Sequence, residues 1–264
     1  VGERLLVSYR WHLILVAGGA KITYWSATRL LFVSQAAGSI MFGELSRNAV
    51  MLAGLVKSGS DTALGVSSIL VERLLAFVVL LTMVTVGISF APPLMPDSIT
   101  TIAWSIAGLV ALGAIGLVLA AKLDRVSALL RRTRMDRAAN WFSRLRVLLN
   151  EYRGKTRLLA YNTILAFGVQ FLRVVQTAMV ATAIGLDLPF VYLIIFVPII
   201  SAATQIPASA GGIGVREVAH VLLLGTIGVE AESAFAVSIL TWFVRLGLSL
   251  IGFVIYMRYG FGVK

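Results

Sequence analysis

Long apolar segments separated by short polar ones dominate the pattern of the chain. Residues 99–121 carry no charge, and residues 66–90 carry only two. Residues 158–184 and 234–257 are similar, with one internal charge each. Each segment is long enough to cross the roughly 30 Å of hydrocarbon in a bilayer as one helix. The pattern therefore predicts four membrane-spanning helices.

Two other apolar segments are interrupted by polar, turn-forming residues. Residues 28–57 are broken at Gly43-Glu44-Leu45-Ser46-Arg47, and residues 190–228 are broken between Pro207 and Glu217. Such backbone is tolerated at membrane depth only when it is buried in protein or lines a wet cavity. Both segments are therefore interpreted as re-entrant hairpins or broken helices. Basic flanks predict that the first enters from the cytoplasm, and acidic flanks predict that the second enters from outside.

The composition excludes a soluble or a disordered protein. Apolar residues make up 59% of the chain and charged residues 13%, whereas soluble domains have about 45–50% and 25%. The chain has no cysteine and only two histidines, so it offers neither a disulfide framework nor an evident metal site. We expect an integral membrane protein without a metal ion or cofactor.

Most of the net charge of +11 lies in one basic linker, residues 122–157. This segment holds eleven Lys and Arg residues and three carboxylates. A basic block between apolar spans marks the cytoplasmic side of the plasma membrane, so nucleic acid is not its expected partner. Its apolar positions recur at helical spacing, which favours an amphipathic helix on the inner leaflet over a solvated connector.

The linker divides the chain into two membrane halves, residues 1–121 and 158–264. Ser68-Ile69-Leu70 and Ser238-Ile239-Leu240 each follow a polar break by some twenty residues. This similarity predicts inverted repeats, an architecture that supports alternating access. In that case the partner of the 158–184 span must precede the first hairpin, where a missing or shortened span is expected. The predicted fold is an all-α polytopic membrane protein, a helical bundle with two re-entrant hairpins.

Charged residues inside these apolar segments are the candidate functional groups. Each costs about 2.5–3.5 kcal/mol to insert, so it is expected to face a cavity or a partner. Arginines outnumber carboxylates by six to three, which leaves guanidinium groups for an anion such as phosphate beyond any structural ion pairs. The set comprises Arg29, Glu44, Arg47, Glu72, Arg73, Arg173, Arg216, Glu217 and Arg245.

Glycines in the second hairpin suggest a backbone contribution. Gly211, Gly212 and Gly214 allow successive amides to point at an anion just before a helix, although they also suit a simple tight turn. No strand precedes them and no Gly-Lys-Ser/Thr follows, so they do not form a nucleotide-binding loop. Glu44 and Glu217 suit either proton coupling or contact with a cationic headgroup.

Three motifs resemble the lysylphosphatidylglycerol synthase transmembrane family, also described as flippase-like domains. They are Gly43-Glu44-Leu45-Ser46-Arg47, Glu72-Arg73-Leu74 and the run from Gly211 to Glu217. The resemblance covers about residues 24–256 and implies translocation of lipids with modified headgroups. It places Glu44, Arg47, Glu72, Arg73, Arg216 and Glu217 around the lipid pathway.

Two departures from the family pattern matter. Met41-Phe42 stands where a proline often precedes the Gly-Glu pair. We also expect no soluble aminoacyl-transfer domain after Lys264, so the resemblance does not imply synthase activity.

The leading hypothesis is a lipid translocase rather than an enzyme. Its expected cargo is a phospholipid or a polyprenyl-phosphate-type lipid with an anionic or modified headgroup. The expected binding residues are Glu44, Arg47, Glu72, Arg73, Gly211, Gly212, Gly214, Arg216, Glu217 and Arg245. Two alternatives stay open: a membrane-embedded transferase using a lipid-phosphate donor, and a scaffold for a soluble synthase or glycosyltransferase.

Overall fold

The structure is a computed structural model that describes residues 1–40, 43–89, 154–204 and 213–260, with single positions between 101 and 152. Most of the predicted 99–121 span and of the basic linker, and the whole of Gly211-Gly212, lie outside these described residues. The described ranges contain eight helices and no strand, which confirms the predicted all-α fold. The helices are α1 (Gly2–Ala17), α2 (Tyr24–Ile40), α3 (Glu44–Lys57), α4 (Thr62–Ser89), α5 (Thr156–Ala183), α6 (Phe190–Ala203), α7 (Val215–Gly225) and α8 (Ala231–Tyr259).

Three of these helices, α4, α5 and α8, are long and apolar enough to cross a membrane. They correspond to the predicted spans at 66–90, 158–184 and 234–257. Their outward faces carry large exposed apolar side chains, among them Val78 and Val86 on α4 and Phe243 and Val254 on α8. Such faces suit contact with lipid chains rather than water.

Both interrupted segments fold as pairs of short helices. The first hairpin consists of α2 and α3, and the second hairpin consists of α6 and α7. Gly43 immediately precedes α3 with a φ of 61°, and Gly214 immediately precedes α7 with a φ of 88°. Only glycine adopts such angles readily, so each polar break positions the first turn of a short helix.

The two halves repeat the same order of elements, namely a helix, a hairpin and a long helix. The hairpin of each half packs against the long helix of the other half, α2 on α8 and α6 on α4. The leading helices α1 and α5 pack against each other. This reciprocal packing is what two intertwined repeats would give. Their opposite orientation in the membrane stays a prediction.

Buried polar contacts join α1 to α5. Arg10 is 3% exposed, and its Nε donates to the backbone and side-chain oxygens of Asn162, at 3.2 and 3.1 Å. Asn162 is fully buried, and its Nδ2 donates to the Arg10 carbonyl oxygen at 2.8 Å. A hydrogen bond to a charged group contributes about 1.5–3 kcal/mol. The pair therefore fixes the contact between the leading helices.

We expect Asn162→Ala to lower the thermal unfolding midpoint, because it removes the side-chain acceptor of the buried Arg10 guanidinium and the donor to the Arg10 carbonyl oxygen. An Arg10→Met, Asn162→Leu double variant removes both partners and should recover much of that loss. Unfolding of purified protein in detergent, followed by circular dichroism, measures both. A double variant less stable than Asn162→Ala would contradict this assignment.

Candidate functional site

A cavity lined by four arginines lies between α1, α5, α6, α7 and α8, and we call it the arginine cavity. Its volume is about 30 Å³, room for one or two water molecules. The lining residues are Glu3, Arg4, Arg173, Gln176, Thr177, Val197, Ile200, Ser201, Thr204, Arg216, His220, Thr241, Arg245 and Leu248.

Glu3 on α1 pairs with two of these arginines, and its single charge offsets one of them. Its Oε2 lies 3.0 Å from Arg4 Nε, and its Oε1 accepts a hydrogen bond from Arg173 Nε at 3.1 Å. Arg173 also donates through Nη1 to Gln170 Oε1 at 2.9 Å. Each oxygen of this carboxylate therefore lies beside one guanidinium group, with a hydrogen bond from Arg173 and an ion pair alone from Arg4.

The start of α7 holds the third arginine. Glu217 Oε2 accepts the Gly214 N–H at 2.6 Å, which caps the helix, and its Oε1 accepts from Arg216 Nη2 at 2.5 Å. Arg216 Nε donates to the buried Ser238 hydroxyl at 3.3 Å. The Gly-Val-Arg-Glu sequence thus folds into one turn that places Arg216 at the cavity and gives each oxygen of Glu217 one hydrogen-bond partner.

Arg245 on α8 differs from the other three arginines. Within the described ranges its half-buried side chain has no hydrogen-bond or ion-pair partner. Its charged neighbours are Arg4, Arg173 and Arg216, which repel it, and Glu3, which attracts it. One turn earlier, the Thr241 hydroxyl is buried without a partner. Arg245 and Thr241 therefore present unused donors from one helix face into the cavity.

The cavity carries more positive charge than its carboxylates neutralise. Four guanidinium groups line it with one carboxylate, Glu3, which is ion-paired with two of them. Glu217 is not a lining residue, and it pairs with Arg216 and the Gly214 N–H. Guanidinium forks match phosphate and carboxylate oxygens, and such charge-assisted bonds are about twice as strong as neutral ones. The arrangement is chemically suited to holding an anion.

A second charged cluster lies at the start of α3. Glu44 pairs with Arg47 of the same helix at 2.7 Å and with Arg73 of α4. Glu44 and Arg47 are also within electrostatic range of Arg4, so the cluster adjoins the arginine cavity. In this half of the molecule the arginine of the long helix neutralises the hairpin glutamate. In the other half Glu217 pairs with its neighbour Arg216. Arg245 on the long helix has no carboxylate partner among the described residues.

The structure brings some of the predicted residues together and separates others. Arg216 and Arg245 line the cavity, with Glu217 and Gly214 directly behind Arg216. Glu44, Arg47 and Arg73 form the second cluster, where Glu72 is within electrostatic range of Arg47. Gly211 and Gly212 lie outside the described residues. The role of all these residues in binding stays a prediction.

Arg29 lies away from the cavity. Its guanidinium carbon lies 5.0 Å from the centre of the Tyr259 ring, a cation–π contact between α2 and α8. Arg29 is therefore half-buried, and its partner Tyr259 gives it a structural role in the contact between α2 and α8.

Sequence reasoning missed Glu3 and Arg4. The segment before the first hairpin was interpreted as a shortened span, so its charges were not among the candidate functional groups. Adjacent opposite charges in the first turn of α1, six residues before the buried Arg10, were the available signal. Arg173 was among the membrane charges but was not assigned to the site.

Comparison with known proteins agrees with this picture of a membrane-embedded helical protein. A family model described as the lysylphosphatidylglycerol synthase TM region matches residues 2–252. No curated protein and no solved structure gives a significant match. Because the match spans nearly the whole sequence, this chain belongs to the family of the lysylphosphatidylglycerol synthase TM region.

Proposed function

We propose that the protein moves lipids with anionic headgroups across the plasma membrane. The observation that supports this is Arg245, whose side chain has no ion-pair partner among the described residues and lies among three other arginines in a cavity between helices of both halves. A guanidinium group with more like than opposite charge around it is costly inside an apolar bundle, and a passing phosphate offsets that cost. The basic linker faces the cytoplasm in this proposal.

The arrangement of the halves supplies a route for movement. The cavity draws Glu3 and Arg4 from the first half and Arg173, Arg216 and Arg245 from the second. Rocking of one half against the other would open this position to each leaflet in turn. At about 30 Å³ the cavity holds little more than water, so in this proposal a headgroup enters when the halves separate.

The absence of cysteine from the whole sequence allows a sharp test. Thr204→Cys places one thiol at the cavity, and an anionic methanethiosulfonate reagent then attaches a sulfonate that competes for the arginines. Thr182→Cys, on the exposed end of α5, is the matched control. Transport of fluorescent phosphatidylglycerol is followed in liposomes by dithionite quenching.

We expect the reagent to stop transport by Thr204→Cys and a thiol reductant to restore it. Transport by the unmodified chain and by Thr182→Cys should continue. Liposomes that show no protein-dependent transport would refute the proposal. Turnover of a lipid-phosphate donor by the same preparation would favour the transferase alternative instead.

A further inference from the structure

The charge and occupancy of the arginine cavity indicate which headgroup it prefers. Glu3, Arg4, Arg173, Arg216 and Arg245 line it, and Glu217 pairs with Arg216 from behind, so this set holds two more guanidinium groups than carboxylates. A phosphodiester headgroup such as phosphatidylglycerol carries one negative charge and neutralises half of this excess. A phosphomonoester carries close to two above its second pKa and neutralises all of it.

The carboxylates at the cavity already pair with positive groups of the protein. Glu3 Oε1 and Oε2 lie beside Arg173 and Arg4, and the oxygens of Glu217 accept from Arg216 and the Gly214 N–H. An ammonium group entering the cavity would meet four guanidinium groups and would have to share these carboxylates with them. An aminoacylated headgroup is therefore disfavoured here by charge repulsion.

Unused donors mark where a phosphate would sit. The buried Thr241 hydroxyl has no partner, and Arg245 on the next turn of α8 has none among the described residues. A terminal phosphate has three oxygens, which allows one to accept from Thr241 while others accept from Arg245. A phosphodiester has only two non-bridging oxygens and must also accommodate its second ester chain in a narrow space.

We propose that the arginine cavity selects a phosphomonoester headgroup, the chemistry shared by phosphatidic acid, polyprenyl monophosphates and free phosphate, with Thr241 and Arg245 as the selecting residues. This deepens the proposed function and rests on the same cavity. The family description by itself suggests an aminoacylated lipid. The two hypotheses therefore predict opposite orders of affinity for phosphatidic acid and aminoacylated phosphatidylglycerol.

Binding to purified protein in detergent tests the selection directly. The probes are short-chain phosphatidic acid, short-chain phosphatidylglycerol, aminoacylated phosphatidylglycerol and inorganic phosphate, each titrated calorimetrically at pH 8. We expect phosphatidic acid to bind about tenfold more tightly than phosphatidylglycerol, a difference of about 1.4 kcal/mol. Aminoacylated lipid should bind most weakly of the three lipids. Inorganic phosphate that displaces phosphatidic acid at equal concentration would assign the site to free phosphate instead and overturn its lipid character.

Three variants assign the preference to α8. Arg245→Gln and, independently, Thr241→Val should bring phosphatidic acid and phosphatidylglycerol to similar affinity. Arg29→Gln is the matched control and should retain the preference, because Arg29 stacks on Tyr259 outside the cavity. A preference kept in both α8 variants would overturn the proposal even if one of them folded poorly.

The pH dependence separates headgroup charge from protein charge. The groups facing the phosphate are Glu3 and Arg4 from α1, Arg173 from α5, Arg216 and His220 from α7, and Arg245 from α8, while α6 contributes no titratable residue. Protonation of His220 at low pH would add positive charge and strengthen anion binding. Weaker phosphatidic acid binding at pH 5 than at pH 8 must therefore come from the lipid, whose second pKa lies near 6.

Phosphatidylglycerol does not titrate in this range and serves as the internal standard. The proposal expects the ratio of the two affinities to fall toward one at pH 5, and a constant ratio would overturn it. Phosphatidylglycerol that crosses liposomes without any monoester preference would refute this inference and leave the transport proposal intact. Preferential binding of phosphatidic acid without lipid movement would refute the transport proposal, and the inferred phosphomonoester site would stand.

Discussion

Arg245→Gln is expected to slow transport of anionic lipid at least about tenfold, because a hydrogen bond to a charged group contributes about 1.5–3 kcal/mol and 1.4 kcal/mol is tenfold. The same change should raise the thermal unfolding midpoint. Arg245 has no partner within the described residues and is repelled by Arg4, Arg173 and Arg216, so its charge destabilises the empty protein. Glutamine keeps part of the length and the hydrogen bonding without that charge.

Slower transport together with a higher unfolding midpoint distinguishes an anion-binding arginine from a structural one. A merely structural arginine would lose stability when neutralised, and its transport would fall as a consequence. Arg29→Gln provides that comparison, since it removes a cation–π contact with Tyr259 away from the cavity. Liposome transport and unfolding in detergent, measured on the same preparations, decide the matter. Lower stability of Arg245→Gln together with normal transport would refute an anion-binding role for this residue.

Gly252→Ala is expected to have the largest effect on folding. A Cβ at Gly252 would overlap the carbonyl oxygen of Phe32 and lie 2.6 Å from its carbonyl carbon. Backbone atoms of a packed helix cannot move aside as a side chain can, so α2 and α8 must separate. Overpacking of this kind costs about 1–3 kcal/mol and occasionally more. Because α8 also carries Arg245, we expect transport to be lost with stability.

Gly247→Ala is the matched control on the same helix. A Cβ at Gly247 meets nothing within 4 Å, and alanine is favoured over glycine in helices by about 1 kcal/mol in water. We therefore expect this variant to be neutral or slightly more stable. Unfolding midpoints of the two variants, compared with the parent chain, test the assignment. Equal midpoints would show that the α2–α8 contact is looser than the structure indicates.

The hairpins illustrate how far the sequence pattern reached. Apolar arms around Gly43-Glu44 and around Gly214-Val215-Arg216-Glu217 predicted broken segments, and each folds as two short helices. This succeeded because a bilayer leaves few options for apolar backbone, which must hydrogen-bond to itself. The pattern did not predict which helix covers each hairpin, since apolar surfaces of similar composition pack with many partners.

The candidate site was harder to predict because pairing depends on distances between elements far apart in sequence. Glu3 and Arg173 are separated by 170 positions and meet only when α1 packs against α5. Glu44, Arg47 and Arg73 resembled the other membrane charges in sequence, yet they form ion pairs with one another. Nothing in the local sequence distinguishes them from Arg245.

The sequence alone determined that this chain is a helical membrane protein with broken segments and a surplus of buried arginine, because hydropathy and charge are properties of composition and spacing. The tertiary structure decided which arginines are satisfied. It pairs Arg73 with Glu44 across two helices and Glu217 with Arg216. Arg245 lines the cavity without a carboxylate partner among the described residues. Coulomb energy falls with distance and rises as water is excluded, so only the folded positions of the carboxylates determine which guanidinium group remains to bind an anion.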